Sequence, residues 1–233
     1  MISIIIPTYN EEKNIASLLS QLQKQVSKDD EILIVDSKST DATVRIAKKF
    51  SVRVLNMEKL GIGVARTHGA NYAKNPVIAF LDADSEISEN WLNKMKIHFQ
   101  DKELEALGGL DLYKYSNLWE NIMYNTYTWK IFLLGFIAHK LTGNFWVPSN
   151  NGAFRKDIFL NMGGYKPFLC EDFEFTKRFR PKKATYDYSM IVMLSDRRFK
   201  QDGFFKTILF WAKSDVKALL NIDDTRKAVN YRK

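Results

Sequence analysis

The chain has 233 residues, 45% of them hydrophobic, and carries 35 basic against 27 acidic side chains for a net charge of +8. This suffices for one large domain or two small ones with a real core, and the basic excess favours an anionic partner such as nucleotide phosphates, an anionic membrane surface or nucleic acid. Cys170 is the only cysteine, which excludes an intramolecular disulfide and a cysteine zinc site and fits a reducing compartment. The first residues lack the basic start and long apolar core of a signal peptide, so none is expected. No stretch reaches the ~18 apolar residues of a membrane span.

In chain order, residues 3–6 read as a short buried strand that Pro7 stops, because proline cannot donate to a ladder. Glu11 and Glu12 suit the positive end of a helix carrying Ile15, Leu18, Leu19, Leu22 and Val26 at helical spacing. Residues 31–35 form a second strand with Asp36 at its carboxyl end. Ser37, Ser39, Thr40 and Asp41 are capping candidates for a helix running to about residue 50. Residues 52–55 form a third strand, and Gly61 and Gly63 lead into a helix with Ala65, Arg66, Gly69 and Ala73. The fourth strand, from residue 77, is a continuous apolar run ending in Asp82-Ala83-Asp84. Such a run suits a strand buried on both faces of a parallel sheet. Ser88 then caps a helix with Trp91, Leu92, Met95 and Phe99 on one face.

Strands alternating with helices imply βαβ units, and right-handed crossovers put helices on both faces of the sheet. Tyr9, Asn10, Asp36, Asp82 and Asp84 then gather along the carboxyl edge, where open α/β sheets bind ligands. In an extended chain Asp82 and Asp84 point to one side, roughly 6–7 Å apart. Two hard oxygen ligands without His or Cys suit Mg²⁺ or Mn²⁺ carrying phosphates, not zinc. A Gly-x-Gly-x-x-Gly after the first strand and a Gly-Lys-Ser/Thr loop are both missing.

Four segments in order resemble the motifs of the family-2 inverting glycosyltransferases of GT-A fold: Ser3-Ile4-Ile5-Ile6-Pro7-Thr8-Tyr9-Asn10-Glu11-Glu12, Val35-Asp36-Ser37-Lys38-Ser39-Thr40-Asp41, Gly61-Ile62-Gly63-Val64-Ala65-Arg66-Thr67-His68-Gly69, and Phe80-Leu81-Asp82-Ala83-Asp84. Lys38 departs from the small or polar residue more usual there. The resemblance implies that Pro7, Tyr9 and Glu11 line the nucleotide pocket and that Asp36 contacts the base or ribose. It puts Arg66 near the donor diphosphate and the acids, Asp82 near the donor sugar and ribose, and Asp84 on a Mn²⁺ or Mg²⁺ ion. The lesser readings are that Glu11 only favours a helix start and that Arg66 is a structural ion-pair partner for Asp82.

In the second half, residues 104–112 read as a strand with a bulge or close approach at Gly108-Gly109. Residues 117–147 hold Trp119, Tyr124, Tyr127, Trp129, Phe132, Phe136, Phe145 and Trp146 with few acids, which suits one or two helices with a broad apolar stripe. That stripe either packs in the core or covers the cleft and meets an apolar acceptor, a sugar or a bilayer. A polar loop at Ser149-Asn150-Asn151-Gly152, a Gly163-Gly164-Tyr165 turn and a Glu171-Asp172 pair opening a helix extend the family likeness. By it, Asp172 is the base, Glu171 an acceptor or positioning residue, and Asn151, Gly152 and Trp146 lie on the acceptor side. Inverting transfer needs such a base, to take the acceptor proton. Residues 185–195 read as an outer strand or pair. Beyond them Arg197 or Arg198 folds over the diphosphate in the family pattern. The Gln-x-x-Arg-Trp motif of processive members is absent, so polymer extrusion is not expected. From Gly203 an amphipathic basic helix packs on the domain or lies on an anionic membrane, and residues 225–233 form a frayed tail.

The expectation is therefore an α/β protein of GT-A fold with a mostly parallel central sheet flanked by helices. Residues 1–200 form one catalytic domain, with a nucleotide-sugar-binding half at 1–100 and an acceptor-binding half at 101–200, and residues 201–233 the basic helix and tail. It moves a sugar from a UDP- or GDP-linked donor to a glycan or lipid-phosphate acceptor, in the cytoplasm or peripherally on the inner face of the membrane. A non-catalytic nucleotide- or carbohydrate-binding relative is the first alternative and a basic nucleic-acid-binding protein the second. Nucleic acid is not an expected partner, because the aromatics do not interleave with the lysines.

Overall fold

The structure is a computed structural model that describes residues 1–58, 61–115, 117–220 and 222. In chain order it contains β1 (Ile2–Thr8), α1 (Ile15–Gln23), β2 (Glu31–Asp36), α2 (Thr43–Ala47), β3 (Arg53–Asn56), α3 (Ile62–Tyr72), β4 (Val77–Phe80), β5 (Glu86–Ile87) and α4 (Trp91–His98). The second half adds β6 (Ala106–Tyr113), α5 (Leu118–Thr142), β7 (Gly152–Arg155), α6 (Lys156–Asn161), α7 (Glu171–Thr176), β8 (Ala184–Leu194), α8 (Arg197–Asp202) and α9 (Phe204–Leu219). The strands make one sheet in the order β3-β2-β1-β4-β7-β6-β8-β5. β3, β2, β1 and β4 are parallel, β7 enters antiparallel between β4 and β6, and β8 runs parallel to β6. The strand order reverses between β1 and β4, and a ligand crevice is expected outside the carboxyl ends at such a point.

Alternation along β1 divides the core between the two faces of the sheet. Ile2, Ile4 and Ile6 pack with Leu18, Leu22 and Trp91, whereas Ile5 packs with Ala65, Phe80 and Phe154. Each such buried side chain contributes about 1.5–3 kcal/mol, so both faces hold the sheet edge in place.

Pro7 does not stop β1, as its sequence position suggests. Ile5 O accepts from Leu81 N at 3.2 Å, so residues 5 and 7 direct their backbone toward β4. The register with β4 ends at Ile5 opposite Phe80, so the donor that Pro7 lacks falls where β4 has already stopped. Glu11 and Glu12 precede the first helix rather than open it, with Asn14 at its amino end. Ser88 does not cap α4: its hydroxyl accepts from Ile191 N at 3.1 Å, and Asn90 precedes the helix. β8 is not an outer strand, since it lies between β6 and β5.

The aromatic segment forms the single helix α5, started by the Asn117 side chain, which accepts from Glu120 N at 3.0 Å, and ended at Gly143 with φ +75°. The helix expected from Gly203 is α9, and Gly203, at φ +81°, separates it from the short α8. α9 turns Thr207 and Ser214 inward, buried, and leaves Phe205, Leu209 and Val216 exposed. The tail at 225–233 lies outside the described residues.

Candidate active site

A cavity of about 480 Å³ opens beyond the carboxyl ends of β1 and β4, within the range of roughly 300–1,000 Å³ usual for small-molecule sites. Tyr9 and Glu11 reach it from the end of β1, and Asp82 and Asp84 from the end of β4. The two aspartates are not in extended chain. Ser85 N donates to Asp82 O at 3.1 Å, so they sit in a turn that nonetheless brings both to one cavity. Asp36 and Pro7 stand apart from this lining. Asp36 accepts from Thr8 Oγ1 (3.0 Å), Ser39 N (2.8 Å) and Ser39 Oγ (2.6 Å), so its carboxylate shapes the turn after β2. Lys38 in that turn has φ +61°, a left-handed backbone in which a bulky residue is uncommon.

Arg66 ties the two ends of the cavity together. Gly61, at φ +99°, turns the chain into α3. Two residues on, a Cβ at Gly63 would stand 2.7 Å from Lys166 O and 2.9 Å from Glu171 Cβ, so only glycine lets α3 approach α7. Arg66 is then buried, 1% exposed, with Nη2 donating to Asp82 Oδ1 at 2.6 Å and Nη1 donating to Glu171 Oε1. Its charge is therefore matched by two carboxylates, one from each end of the cavity.

At the far end Asp172 accepts from Trp146 Nε1 at 3.0 Å and from Phe173 N at 2.9 Å. Burial and the neighbouring Asp215 push its carboxyl above the usual range. Burial also raises Glu171, opposed by Arg66. Two further acids complete this end. Asp111, two residues before the end of β6, is pushed up to about 8 by burial, with Asp82 and Asp172 adding to the shift. Asp215, on α9, is pushed up to about 6 by burial and accepts from the Cys170 thiol, which burial raises in turn.

Of Asn151 and Gly152, expected on the acceptor side, Gly152 opens β7 and Asn151 precedes it, and neither lines the cavity. Asn151 is fully buried: Nδ2 donates to Leu110 O and Met190 O, and Oδ1 accepts from Trp91 Nε1 at 2.8 Å. A Cβ on Gly152 would meet Pro148 O at 2.4 Å. Their neighbours Ser149 and Asn150 line the cavity, as does Trp146. Asp111, Asp215 and Asn150 were not singled out from sequence. Asp111 follows the rule that located Asp82, a polar residue near a strand's carboxyl end. Asp215 carries no local signal, because only the docking of α9 brings it in.

Of the two arginines expected near the diphosphate, Arg197 faces the acids. Its Nη2 lies 3.2 Å from Asp84 Oδ2 and 3.6 Å from Glu11 Oε1. Arg198 instead stacks on Phe210, 4.3 Å from the ring centroid, and pairs with Asp202. The residues around Asp84 fit a hard divalent cation. They are all oxygen donors, and the Arg197 guanidinium shows that the spot attracts positive charge. Among the described residues no group of three or more His, Cys, Asp or Glu is placed to hold a metal ion.

A parallel sheet with an antiparallel β7 inserted beside β4, and a cavity across its strand-order reversal, defines an α/β protein of the GT-A class. The chain belongs to glycosyl transferase family 2, whose model matches residues 3–163. Glycosyltransferase AglE of Haloferax volcanii is 32% identical over 124 residues, which cover 50% of this chain and 41% of that protein. The chain thus matches less than half the length of that relative. A mannosyltransferase from Pyrobaculum calidifontis, solved with GDP-Man and Mn²⁺, superposes with a TM-score of 0.72 at 18% identity, covering 94% of this chain and 63% of that one. S. aureus TarS, solved with UDP-GlcNAc, superposes with a TM-score of 0.66 at 18% identity, covering 91% of this chain and 66% of that one.

Proposed function

We propose that this protein is an inverting glycosyltransferase that moves a sugar from a UDP- or GDP-linked donor to an acceptor hydroxyl. The observation that carries the reading is one cavity holding donor-side acids at one end and, at the other, a buried carboxyl of raised pKa, joined by Arg66. Tyr9, Glu11 and Asp82 hold the nucleotide and sugar. Asp84 holds a Mn²⁺ or Mg²⁺ ion, which when bound neutralises charge on the diphosphate. Arg197 turns from Asp84 and Glu11 toward the phosphates. Asp172 takes the acceptor hydroxyl proton, the acceptor oxygen bonds to the anomeric carbon, and the carbon–oxygen bond to the diphosphate breaks with its electrons on the leaving group. Glu171, fixed by Arg66, positions the acceptor.

The test is nucleotide-sugar binding and turnover with Mn²⁺. UDP or GDP is expected to raise the melting temperature, and the matching sugar nucleotide to be consumed. Asp84→Ala is expected to weaken Mn²⁺-dependent nucleotide binding at least tenfold, about 1.4 kcal/mol. Equal affinity in the variant removes the metal role, and no nucleotide binding by the unaltered protein removes the whole reading.

α5 and α9 support peripheral contact with the cytoplasmic face of an anionic membrane. Both line the cavity with their inner faces. Outward, α5 shows Trp119, Ile122, Leu133 and Phe136, and α9 shows Phe205, Leu209 and Val216, flanked by exposed Lys130, Lys140, Lys206 and Lys213. Apolar faces edged by lysine suit the headgroup region, and among the described residues no helix is long and apolar enough to cross a membrane. The triple change Phe205→Ser, Leu209→Ser, Val216→Ser is expected to release the protein from phosphatidylglycerol vesicles in co-sedimentation. Undiminished binding would rule α9 out as the contact.

A further inference from the structure

Resting on the transferase reading above, we propose that Asp111 and Asn150 form the acceptor subsite, and that the group they hold is a hydroxyl of a neutral sugar rather than a phosphate. Asp111 is 7% exposed and lines the cavity, yet its Oδ1 has no hydrogen-bond partner. Asn150 lines the same cavity, and its buried Nδ2 also has none. The Asn150 amide stands near enough to the Asp111 carboxyl to hold its pKa down, while Asp111 Oδ1 and Asn150 Nδ2 each lack a partner at hydrogen-bonding geometry. One unmet acceptor beside one unmet donor is the complement of a hydroxyl, which donates and accepts at once. Rotation about the last side-chain torsion of Asp111 exchanges its two oxygens, so either one can face the ligand.

The backbone aims this pair. The β6–β8 register shifts between Gly109 and Leu110, and such bulges redirect side chains beside active sites. Gly109 N donates to Asn151 O at 2.9 Å at the shift. Asn151 is locked by its three side-chain bonds, so the adjoining Asn150 is presented from a fixed point. A buried donor and a buried acceptor left without partners destabilise the empty site, and a bound hydroxyl offsets that cost.

Charge selects the class of acceptor. Asp111, Glu171, Asp172 and Asp215 all have carboxyls raised by burial. All four line the same cavity, and a further anion among converging carboxyls is disfavoured, whereas a neutral sugar adds no charge. A phosphate nucleophile at neutral pH would also give Asp172 no hydroxyl proton to remove.

The experiment gives the full chain its nucleotide-sugar donor with Mn²⁺ and two acceptor sets: neutral p-nitrophenyl hexosides and pentosides, and decyl phosphate. Transfer to at least one glycoside and none to decyl phosphate is expected. Asp111→Asn and Asn150→Ala should each raise the glycoside KM at least tenfold, with the nucleotide Kd changed less than threefold as the check on folding. Turnover of decyl phosphate overturns the assignment. So does an unchanged glycoside KM in both variants, or failure of every glycoside while the donor is bound and slowly hydrolysed. A protein that binds no nucleotide fails instead at the transferase reading.

Discussion

Asp172→Asn is expected to lower sugar transfer about 10²–10⁴-fold, the usual contribution of a positioned general base, while nucleoside diphosphate binds as before. The change is isosteric but cannot keep the local bonding. Trp146 Nε1 and Phe173 N donate to the two different carboxylate oxygens, and an amide sets its own N–H against one of them. Lost hydrogen bonding of this kind costs about 0.5–1.5 kcal/mol, so the fold survives and the proton acceptor does not. The pH dependence adds a second readout. Burial first, then Asp215, pushes the Asp172 carboxyl up to about 6. The base works deprotonated, so kcat/KM is expected to rise with pH through that region. Asp215→Asn removes a like charge, lowers the Asp172 pKa and moves the rise to lower pH. Stability runs the other way. A carboxyl raised in the folded state binds protons there that the unfolded chain has released, so stability is greatest below the unfolded pKa and is lost as pH climbs toward the folded one. Full activity of Asp172→Asn in a folded protein would reassign the base.

The donor half of the site was legible because its signals are local. An apolar run ending in two acids marks a buried strand and its functional edge, and the order of β1, β2 and β4 follows from the alternation of strands and helices. The acceptor half was less so. Asn151 carried the same polar-loop signal as Asn150, and nothing in one sequence tells which of two adjacent amides turns into the sheet. That is decided by Trp91, Leu110 and Met190, distant along the chain. Asp36 shows a related limit: its own turn supplies three donors, from Thr8 and Ser39, which its position at a strand end does not reveal. Pro7 shows the limit of a residue rule, since its effect depends on where the neighbouring strand ends.

Arg66→Met is expected to destabilise the protein by about 3–5 kcal/mol, the cost of leaving a buried charge without its partner, or roughly 10 °C in melting temperature. Methionine fills most of the stem's volume, so the loss is electrostatic. The Arg66, Asp82 and Glu171 side chains are 2%, 21% and 4% exposed, so water screens little of the interaction. Asp82, at the wetter end, resolvates in part. Glu171 cannot, and takes up a proton instead, because burial already raises its pKa and Arg66 is the main influence holding it down. The variant is therefore most impaired at high pH, where that proton must be forced on or the charge left bare, and least impaired below the unfolded carboxylate range. Adding Glu171→Gln to Arg66→Met removes the stranded charge and should recover part of the lost stability at pH 8. Thermal melts from pH 5 to 8 measure all three effects. A single variant melting within 2 °C of the unaltered protein would show that the bridge orients its two carboxylates without supporting the fold. The same position then predicts activity: with Asp82 and Glu171 no longer held to one guanidinium, the donor and acceptor ends lose their common anchor. Displacements of about 1 Å at a reacting centre cost on the order of 10²-fold in rate.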